Sequence, residues 1–167
     1  MKIWKVLLVV LTLGTTSCEH IEMAQPQHME EYTADWEMWP IDTDWQLGNE
    51  VIQFINEYRI SKGMDLLTKD TGLPSALASQ HSNYMIYTQQ LSHDGFADRA
   101  EIMHNNGAAA TAENVAFGYK DAWEIVEAWK KSPAHLDALE GNYTHIGLGI
   151  RTDVLGTTWV TMLAFRK

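Results

Sequence analysis

The sequence has 167 residues, a length that fits one domain with short extensions. With 46% hydrophobic and 20% charged residues the chain can build a buried core, so a wholly disordered protein is excluded. The formal net charge of -10 would repel a phosphate backbone, so we expect no nucleic-acid binding. A single cysteine excludes both a disulfide framework and a thiolate metal cluster.

The first eighteen residues have the pattern of an export signal. Lys2 and Lys5 form a basic start, residues 6–14 are apolar, and small residues lead to Cys18. This stretch resembles a bacterial lipoprotein signal, in which the cysteine becomes acylated and holds the protein at a membrane. We therefore expect residues 1–17 to be a signal peptide and Cys18 to be the lipid anchor. The expected location is the outer membrane or the cell surface, and simple secretion is the alternative.

Residues 18–47 are predicted to form an acidic tether. After the cysteine this segment holds eight carboxylates and no lysine or arginine, whereas residues 48–167 hold 14 acidic and 10 basic side chains. Three indoles in the tether, Trp36, Trp39 and Trp45, are costly to leave in water, so we expect them to pack against the domain. A strip that binds a protein of the cell envelope is the alternative.

From residue 48 onwards the apolar side chains recur first at helical and then at strand spacing. The predicted helices run from Gly48 to about Lys62, from Leu73 to Thr88 with Pro74 in the first turn, over Ala97–Asn105, and from Ala122 to Trp129, where Ser132 and Pro133 end the pattern. The predicted strands are Asn114–Tyr119 and the two arms of a C-terminal hairpin, Ile146–Ile150 and Trp159–Phe165. Helices followed by strands, without βαβ alternation, indicate an α+β domain.

Three ionisable residues lie at the ends of predicted elements, where functional groups are often displayed: His93, Glu113 and His135. Their spacing matches no local metal-binding signature, so spacing alone indicates little. A fourth candidate, His81, lies on the apolar stripe of the second helix, and we expect it to be a hydrogen-bonded core residue.

Several catalytic patterns are absent from the sequence. It contains no G-x-S-x-G elbow for a serine nucleophile, and the cysteine is already assigned to the signal. Gly147 and Gly149 lie inside a strand pattern with no helix after them, so they do not form a phosphate loop. Two glycines on one face of a strand predict instead that a helix or a ligand packs close to the backbone.

Together these segments carry a family resemblance. The matching stretches are Asn56-Glu57-Tyr58-Arg59, Ser92-His93, Arg99, Ala112-Glu113-Asn114-Val115-Ala116-Phe117-Gly118, Trp129-Lys130-Lys131-Ser132-Pro133-Ala134-His135 and Tyr143-Thr144-His145-Ile146-Gly147-Leu148-Gly149. In this order and spacing they resemble the CAP superfamily of cysteine-rich secretory, antigen 5 and pathogenesis-related 1 proteins, in its bacterial, disulfide-free branch. The resemblance implies a three-layer α-β-α sandwich with a small antiparallel sheet.

The resemblance also implies a ligand cleft. Eukaryotic members have two histidines and two glutamates there, and His93, Glu113 and His135 match three of these positions. The fourth position, a glutamate in those members, falls on Ser132. The set His93, Glu113 and His135 implies weak binding of Zn²⁺, because two imidazoles and one carboxylate leave positions open for water.

We expect the protein to be an exported, membrane-anchored binding module whose cleft takes a small or lipidic ligand or a divalent metal. The alternative is a metal-assisted hydrolase of peptide or cell-envelope substrates, with zinc on the two histidines and Glu113 as ligand or general base. A structural surface protein that uses its tryptophan-bearing tether for contact is a third interpretation. Ser132 in place of a glutamate and the missing nucleophile favour binding over catalysis.

Overall fold

The structure, a computed structural model of the chain, describes residues 42–167. The predicted signal peptide (1–17), the predicted lipid anchor Cys18, and Trp36 and Trp39 lie outside the described residues, so the expectations about them stay predictions. Within the described range, no helix combines the length and the apolar character that a membrane crossing requires.

Five helices and four strands make up the domain, which confirms the predicted α+β class. In chain order they are α1 (Trp45–Ser61), β1 (Thr68–Lys69), α2 (Leu73–Thr88), α3 (Phe96–Asn105), β2 (Ala110–Phe117), α4 (Ala122–Lys131), α5 (Pro133–Glu140), β3 (His145–Thr152) and β4 (Thr158–Arg166). Two of these elements are missing from the sequence prediction, the two-residue β1 and the helix α5.

The four strands form one sheet in the order β1-β3-β4-β2. The three long strands are antiparallel, as predicted, and β1 adds a short parallel pair in which Thr68 lies opposite His145. Helices α1, α4 and α5 pack on one face of the sheet, and α2 and α3 pack on the other. This arrangement is the predicted three-layer sandwich.

The two glycines of β3 lie directly under α2. A Cβ atom on Gly149 would come within 2.1 Å of the backbone nitrogen of Ser79, and one on Gly147 within 2.6 Å of Cβ of Pro74. Any side chain at these positions would push the helix off the sheet, since real Cβ atoms do not approach so closely. The predicted close packing is therefore confirmed, and the packing element is a helix.

Helix α1 begins before the predicted start at Gly48. It starts at Trp45, because the carboxylate of Asp44 caps the first turn by accepting a hydrogen bond from the backbone nitrogen of Leu47 at 3.1 Å. The ring of Trp45 is partly buried, and Nζ of Lys69 lies 4.9 Å from its centre. Of the three tether tryptophans, the one that the structure describes thus packs on the domain.

Candidate functional site

The structure brings together three of the four residues predicted to line the cleft. His93 lies in the loop before α3, Glu113 on β2 and His135 in the first turn of α5. Nδ1 of His93 is 2.9 Å from Oε1 of Glu113, and the ring centres of the two histidines are 6.4 Å apart. Ser132 joins α4 to α5, and within residues 42–167 its hydroxyl makes no hydrogen bond to the other three or to the start of α5.

The Glu113 carboxylate is buried and already paired. Its side chain is 1% exposed, and it accepts hydrogen bonds from Nε and Nη2 of Arg99 at 2.8 and 2.9 Å. Arg99 comes from α3, is itself buried, and also donates to the carbonyl oxygen of Asp94 at 2.9 Å. Such a bidentate ion pair fixes the position of the carboxylate and balances its charge inside the protein.

His93 is the exposed member of the group, with 49% of its side chain in contact with solvent. A carboxylate can only accept hydrogen bonds, so the short contact to Glu113 places the hydrogen of the neutral ring on Nδ1. The other nitrogen, Nε2, then carries a lone pair and has no partner among the described residues. Glu113 therefore holds the His93 ring so that it offers one hydrogen-bond acceptor to a ligand.

His81 is a core histidine, as predicted, but it also borders the site. It is buried, its Nε2 donates to the carbonyl oxygen of Ser92 at 2.8 Å, and the same atom lies 4.0 Å from Oε1 of Glu113. Burial, with a further effect of the Arg99 charge, lowers the pKa of His81 below its ordinary value despite the nearby carboxylate. His81 is therefore uncharged at neutral pH.

His135 approaches His93 from the first turn of α5, with the two ring centres 6.4 Å apart. Burial lowers its pKa, and the neighbouring His93 lowers it further, so this ring is also neutral at pH 7. The start of α5 is tied to β2 because Nδ2 of Asn114 donates to the carbonyl oxygen of His135 at 2.9 Å. The amide oxygen of Asn114 is buried and has no donor within residues 42–167, which is a usual place for an ordered water.

Most of the described sequence matches a known protein family. The family described as "CAP: Cysteine-rich secretory protein family" matches residues 52–163, well over half of the chain. The protein is a member of the CAP family. This confirms the resemblance inferred from the motifs, and the matched range contains all four predicted cleft residues.

Several known proteins are similar to this CAP domain. A relative in Bacillus subtilis (strain 168), "Uncharacterized membrane protein YlbC", is 32% identical over 108 residues, which are 60% of this chain and 30% of that protein. The solved structure of an outer surface protein from Borrelia burgdorferi matches with a TM-score of 0.66 at 19% identity, over 73% of this chain and 93% of that one. This chain therefore spans about a third of the Bacillus subtilis relative but nearly the whole Borrelia structure.

Two further solved structures share the fold. An extracellular protein with an SCP domain from Bacillus anthracis str. Ames matches with a TM-score of 0.61 at 24% identity, over 71% of this chain and 40% of that one. A cysteine-rich secretory protein from Staphylococcus aureus subsp. aureus Mu50 matches with a TM-score of 0.63 at 18% identity, over 77% of this chain and 40% of that one. At these identities the likeness establishes the CAP fold.

The predicted zinc ligands do not form a three-ligand group in this CAP domain. Both oxygens of Glu113 already accept hydrogen bonds from Arg99, and a cation there would face the guanidinium. Nδ1 of His93 is used on the same carboxylate, which leaves Nε2 of His93 and the ring of His135. Among residues 42–167, no group of three or more His, Cys, Asp or Glu side chains is arranged to hold a metal ion. Zinc binding thus stays a prediction that this geometry does not support.

Sequence reasoning gave no role to two residues that build the CAP cleft. Arg99 neutralises Glu113 from a position 14 residues away on another element, and Asn114 ties β2 to α5 across 21 residues. Both stand in stretches that resemble the family, yet no local pattern shows which side chain they reach. A buried carboxylate needs a cationic partner, but this argument does not say which residue supplies it.

Proposed function

We propose that this CAP domain is an exported, lipid-anchored binding protein whose cleft between His93 and His135 takes a small polar ligand without chemical turnover. The carrying observation is that Glu113 is buried and doubly bonded to Arg99. A carboxylate held in this way orients His93 and is not free to take a proton from water or substrate. The cleft therefore offers ring nitrogens for hydrogen bonds to a hydroxyl or amide group.

The hydrolase interpretation receives less support from the same geometry. It needs either a nucleophile or a metal-bound water, with a free carboxylate beside it. Ser132 has no hydrogen-bonded base among the described residues, and Glu113 is engaged by Arg99. What the described residues provide is a pair of imidazole rings whose centres are 6.4 Å apart.

A groove between α1 and α4 is a second candidate, for the lipidic class of ligand. It has a volume of about 270 Å³ and is lined in part by Phe54, Tyr58, Trp123 and Val126, with Lys130 at its side. The Trp123 side chain is exposed there, although an indole is costly to leave in water. An acyl chain fits the apolar part of this lining, but Glu57 and Glu127 also line the groove, and a fatty-acid carboxylate would have to share Lys130 with Glu127.

Export and anchoring are supported by the signal pattern that ends at Cys18. They are also supported by similar proteins, which are described as a membrane protein, an outer surface protein and an extracellular protein. Cys18→Ser should release the protein from the membrane fraction of the producing cell. A variant that stays as membrane-bound as the wild type would contradict the lipid anchor.

The cleft can be tested on the mature chain from residue 18 carrying Cys18→Ser. We would record the ring-proton resonances of the histidines by NMR while adding N-acetylglucosamine, which carries hydroxyl and amide donors, or octanoate. The proposal predicts that N-acetylglucosamine shifts the His93 and His135 signals and that His93→Ala abolishes the response. Octanoate should shift the indole signal of Trp123 if the groove binds lipid. Silent histidine signals with both probes would contradict ligand binding in the cleft.

A further inference from the structure

The turn between β3 and β4 presents two apolar side chains directly to solvent. Val154 is 102% exposed and Leu155 is 82% exposed, the two highest values among the large hydrophobic residues of the described chain. Turns usually carry polar residues, because nothing shields a side chain at a loop tip. Two adjacent aliphatic residues in this position therefore indicate a contact surface.

The tip is held rigid by Asp153. Its Oδ1 accepts hydrogen bonds from the backbone nitrogens of Leu155 and Thr157, both at 2.9 Å, and its Oδ2 accepts from Nε1 of Trp159 at 3.1 Å. These bonds lower the pKa of Asp153, which keeps the carboxylate charged and the bonds in place at neutral pH. Val154 and Leu155 are thus fixed in an outward position and need little further ordering on contact.

The same end of the sheet carries a third exposed apolar side chain. Phe117, at the end of β2, lies opposite Trp159 in the register, and the two ring centres are 4.4 Å apart. Phe117 is 47% exposed, so half of its ring faces solvent beside the hairpin. We call Phe117, Val154 and Leu155 the apolar tip.

The chain that leads to the predicted anchor enters the domain at this end. The backbone nitrogen of Asp44 donates to the carbonyl oxygen of Ile150 at 3.1 Å, and Nη1 of Arg151 donates to the carbonyl oxygen of Asp42 at 2.7 Å. Arg151 also pairs with the Asp42 carboxylate. The first described residue, Asp42, is therefore bound by Arg151, which lies in the last two residues of β3 before the turn, and it also accepts a hydrogen bond from Oγ of Ser79 on α2 at 2.9 Å.

We propose that the apolar tip is the surface through which the domain rests on the lipid bilayer that holds its anchor. The proposal rests on the proposed acylation of Cys18, and it adds which side of the domain faces the membrane. Only residues 18–41 separate the predicted anchor from Asp42, so a domain held there by a lipid stays near the membrane. Its tethered end, and with it the apolar tip, faces the bilayer.

Tethering also explains how so small a surface can work. Two aliphatic side chains and part of a ring bury too little area to bind a membrane from solution. Once a lipid holds the chain, the second contact becomes intramolecular, with an effective concentration set by the tether. The eight carboxylates of the predicted tether fit an uncharged lipid surface rather than an anionic one.

The test uses the full lipoprotein, purified from membranes and reconstituted into phosphatidylcholine vesicles. Because Cys18 is the only cysteine and its thiol would be blocked by acylation, a single new cysteine can be labelled with an environment-sensitive dye. Leu155→Cys reports on the tip. Leu66→Cys is the matched control, since Leu66 is an exposed leucine beside β1, which pairs with the opposite end of β3.

The proposal predicts that the dye at position 155 shifts its emission to the blue and is quenched by brominated lipids, whereas the dye at position 66 does neither. If the protein floats with the vesicles but the two dyes behave alike, the tip proposal is overturned and the anchor stands. If the wild type does not float, the anchor fails and the tip proposal falls with it. A blue shift at position 155 in vesicle-free Cys18→Ser protein would assign the tip to a second copy and overturn the proposal.

Discussion

Two arginines are buried in the described part of the chain, and they are satisfied in different ways. Arg59 has no carboxylate against its guanidinium: it donates to the carbonyl oxygens of Asp65 and Leu139, both at 2.7 Å, and of Gly141 at 3.0 Å. Arg99 is paired with a carboxylate, that of Glu113. Burial lowers the pKa of both groups, and a nearby carboxylate counters it in each, the charge of Asp65 for Arg59 and that of the paired Glu113 for Arg99.

This difference separates a structural region from the candidate site. The Arg59 bonds end on main-chain oxygens of the segments after α1 and α5, so they fix the path of the chain at one end of the sheet. The Arg99 bonds end on a side chain that in turn orients His93. A buried arginine bound to backbone carbonyl oxygens fixes the position of a loop. A buried arginine bound to a carboxylate can instead fix a side chain that orients a neighbouring residue of a site.

The largest effect is expected from Arg99→Met. It leaves the Glu113 carboxylate buried without a cation, which destabilises a protein by about 3–5 kcal/mol. Urea unfolding followed by circular dichroism measures the loss. The double variant Arg99→Met, Glu113→Gln removes the orphaned charge and should recover much of it. A double variant as unstable as the single one would contradict the importance of the ion pair.

Arg59→Met should cost less, about 2–3 kcal/mol, because it leaves carbonyl oxygens without donors but strands no charge. The same unfolding experiment measures it. The histidine ring signals of the cleft should stay at their wild-type positions, since Arg59 contacts none of those residues. A loss larger than that of Arg99→Met, or displaced His93 signals, would remove the distinction between the two arginines.

How far the sequence predicts the fold depends on how local its signals are. The limits of α2 are predicted to the residue, because an apolar periodicity and Pro74 in the first turn coincide. Helix α5 is missed since Pro133 reads as the end of a helix, whereas it occupies the first turn of the next one. Strand β1 has two residues and shows no pattern of its own.

For the candidate site, too, the sequence predicts only what local motifs show, and contacts between distant elements are missed. His93, Glu113 and His135 could be named from the family motifs, and the structure places them together. The partner of Glu113 could not, because Arg99 reaches it across elements that only the tertiary fold brings into contact. The predicted zinc set assumes a free carboxylate, whereas both oxygens of Glu113 are bonded to Arg99.

A smaller effect is expected from pH. The free energy of unfolding should depend on pH through His81, which lies beside the Arg99–Glu113 pair. Burial lowers the pKa of His81 below its ordinary 6.5. As the pH falls, the unfolded chain therefore becomes protonated at His81 before the folded chain does. Stability is therefore complete above about pH 6.5 and declines as the pH falls below it toward the folded-state pKa. His81→Gln should flatten this decline between about pH 7 and pH 5 in urea unfolding.

Arg59→Met is the control for the pH effect, because it should lower stability equally at every pH in this range and keep the wild-type decline. The pKa of His135 is also lowered, so His135 contributes to the same loss of stability at low pH. His81→Gln should therefore reduce the dependence of the free energy of unfolding on pH without abolishing it. A variant with the full wild-type slope would show that His81 is not held neutral by its surroundings.

The smallest effect is expected from zinc. Only Nε2 of His93 and the ring of His135 are free, so binding should be weak and should disappear in the double variant His93→Ala, His135→Ala. Isothermal titration of the mature Cys18→Ser chain with zinc chloride at neutral pH measures it, with Arg59→Met as a variant that should titrate like the wild type. Lowering the pH toward about 5 should weaken binding further, because a protonated imidazole has no lone pair to give.

Tight zinc binding that the double histidine variant abolishes would mean that Glu113 leaves Arg99 and joins the two rings. In that case the ion pair is a switch between two partners of one carboxylate, and zinc should raise the unfolding midpoint strongly, because a ligand bound tightly by the folded state stabilises it. Unfolding curves with and without zinc would show this directly. If zinc raises the midpoint no more than expected for two weak ligands, the guanidinium keeps the carboxylate, and Arg99 remains what distinguishes this region from that of Arg59.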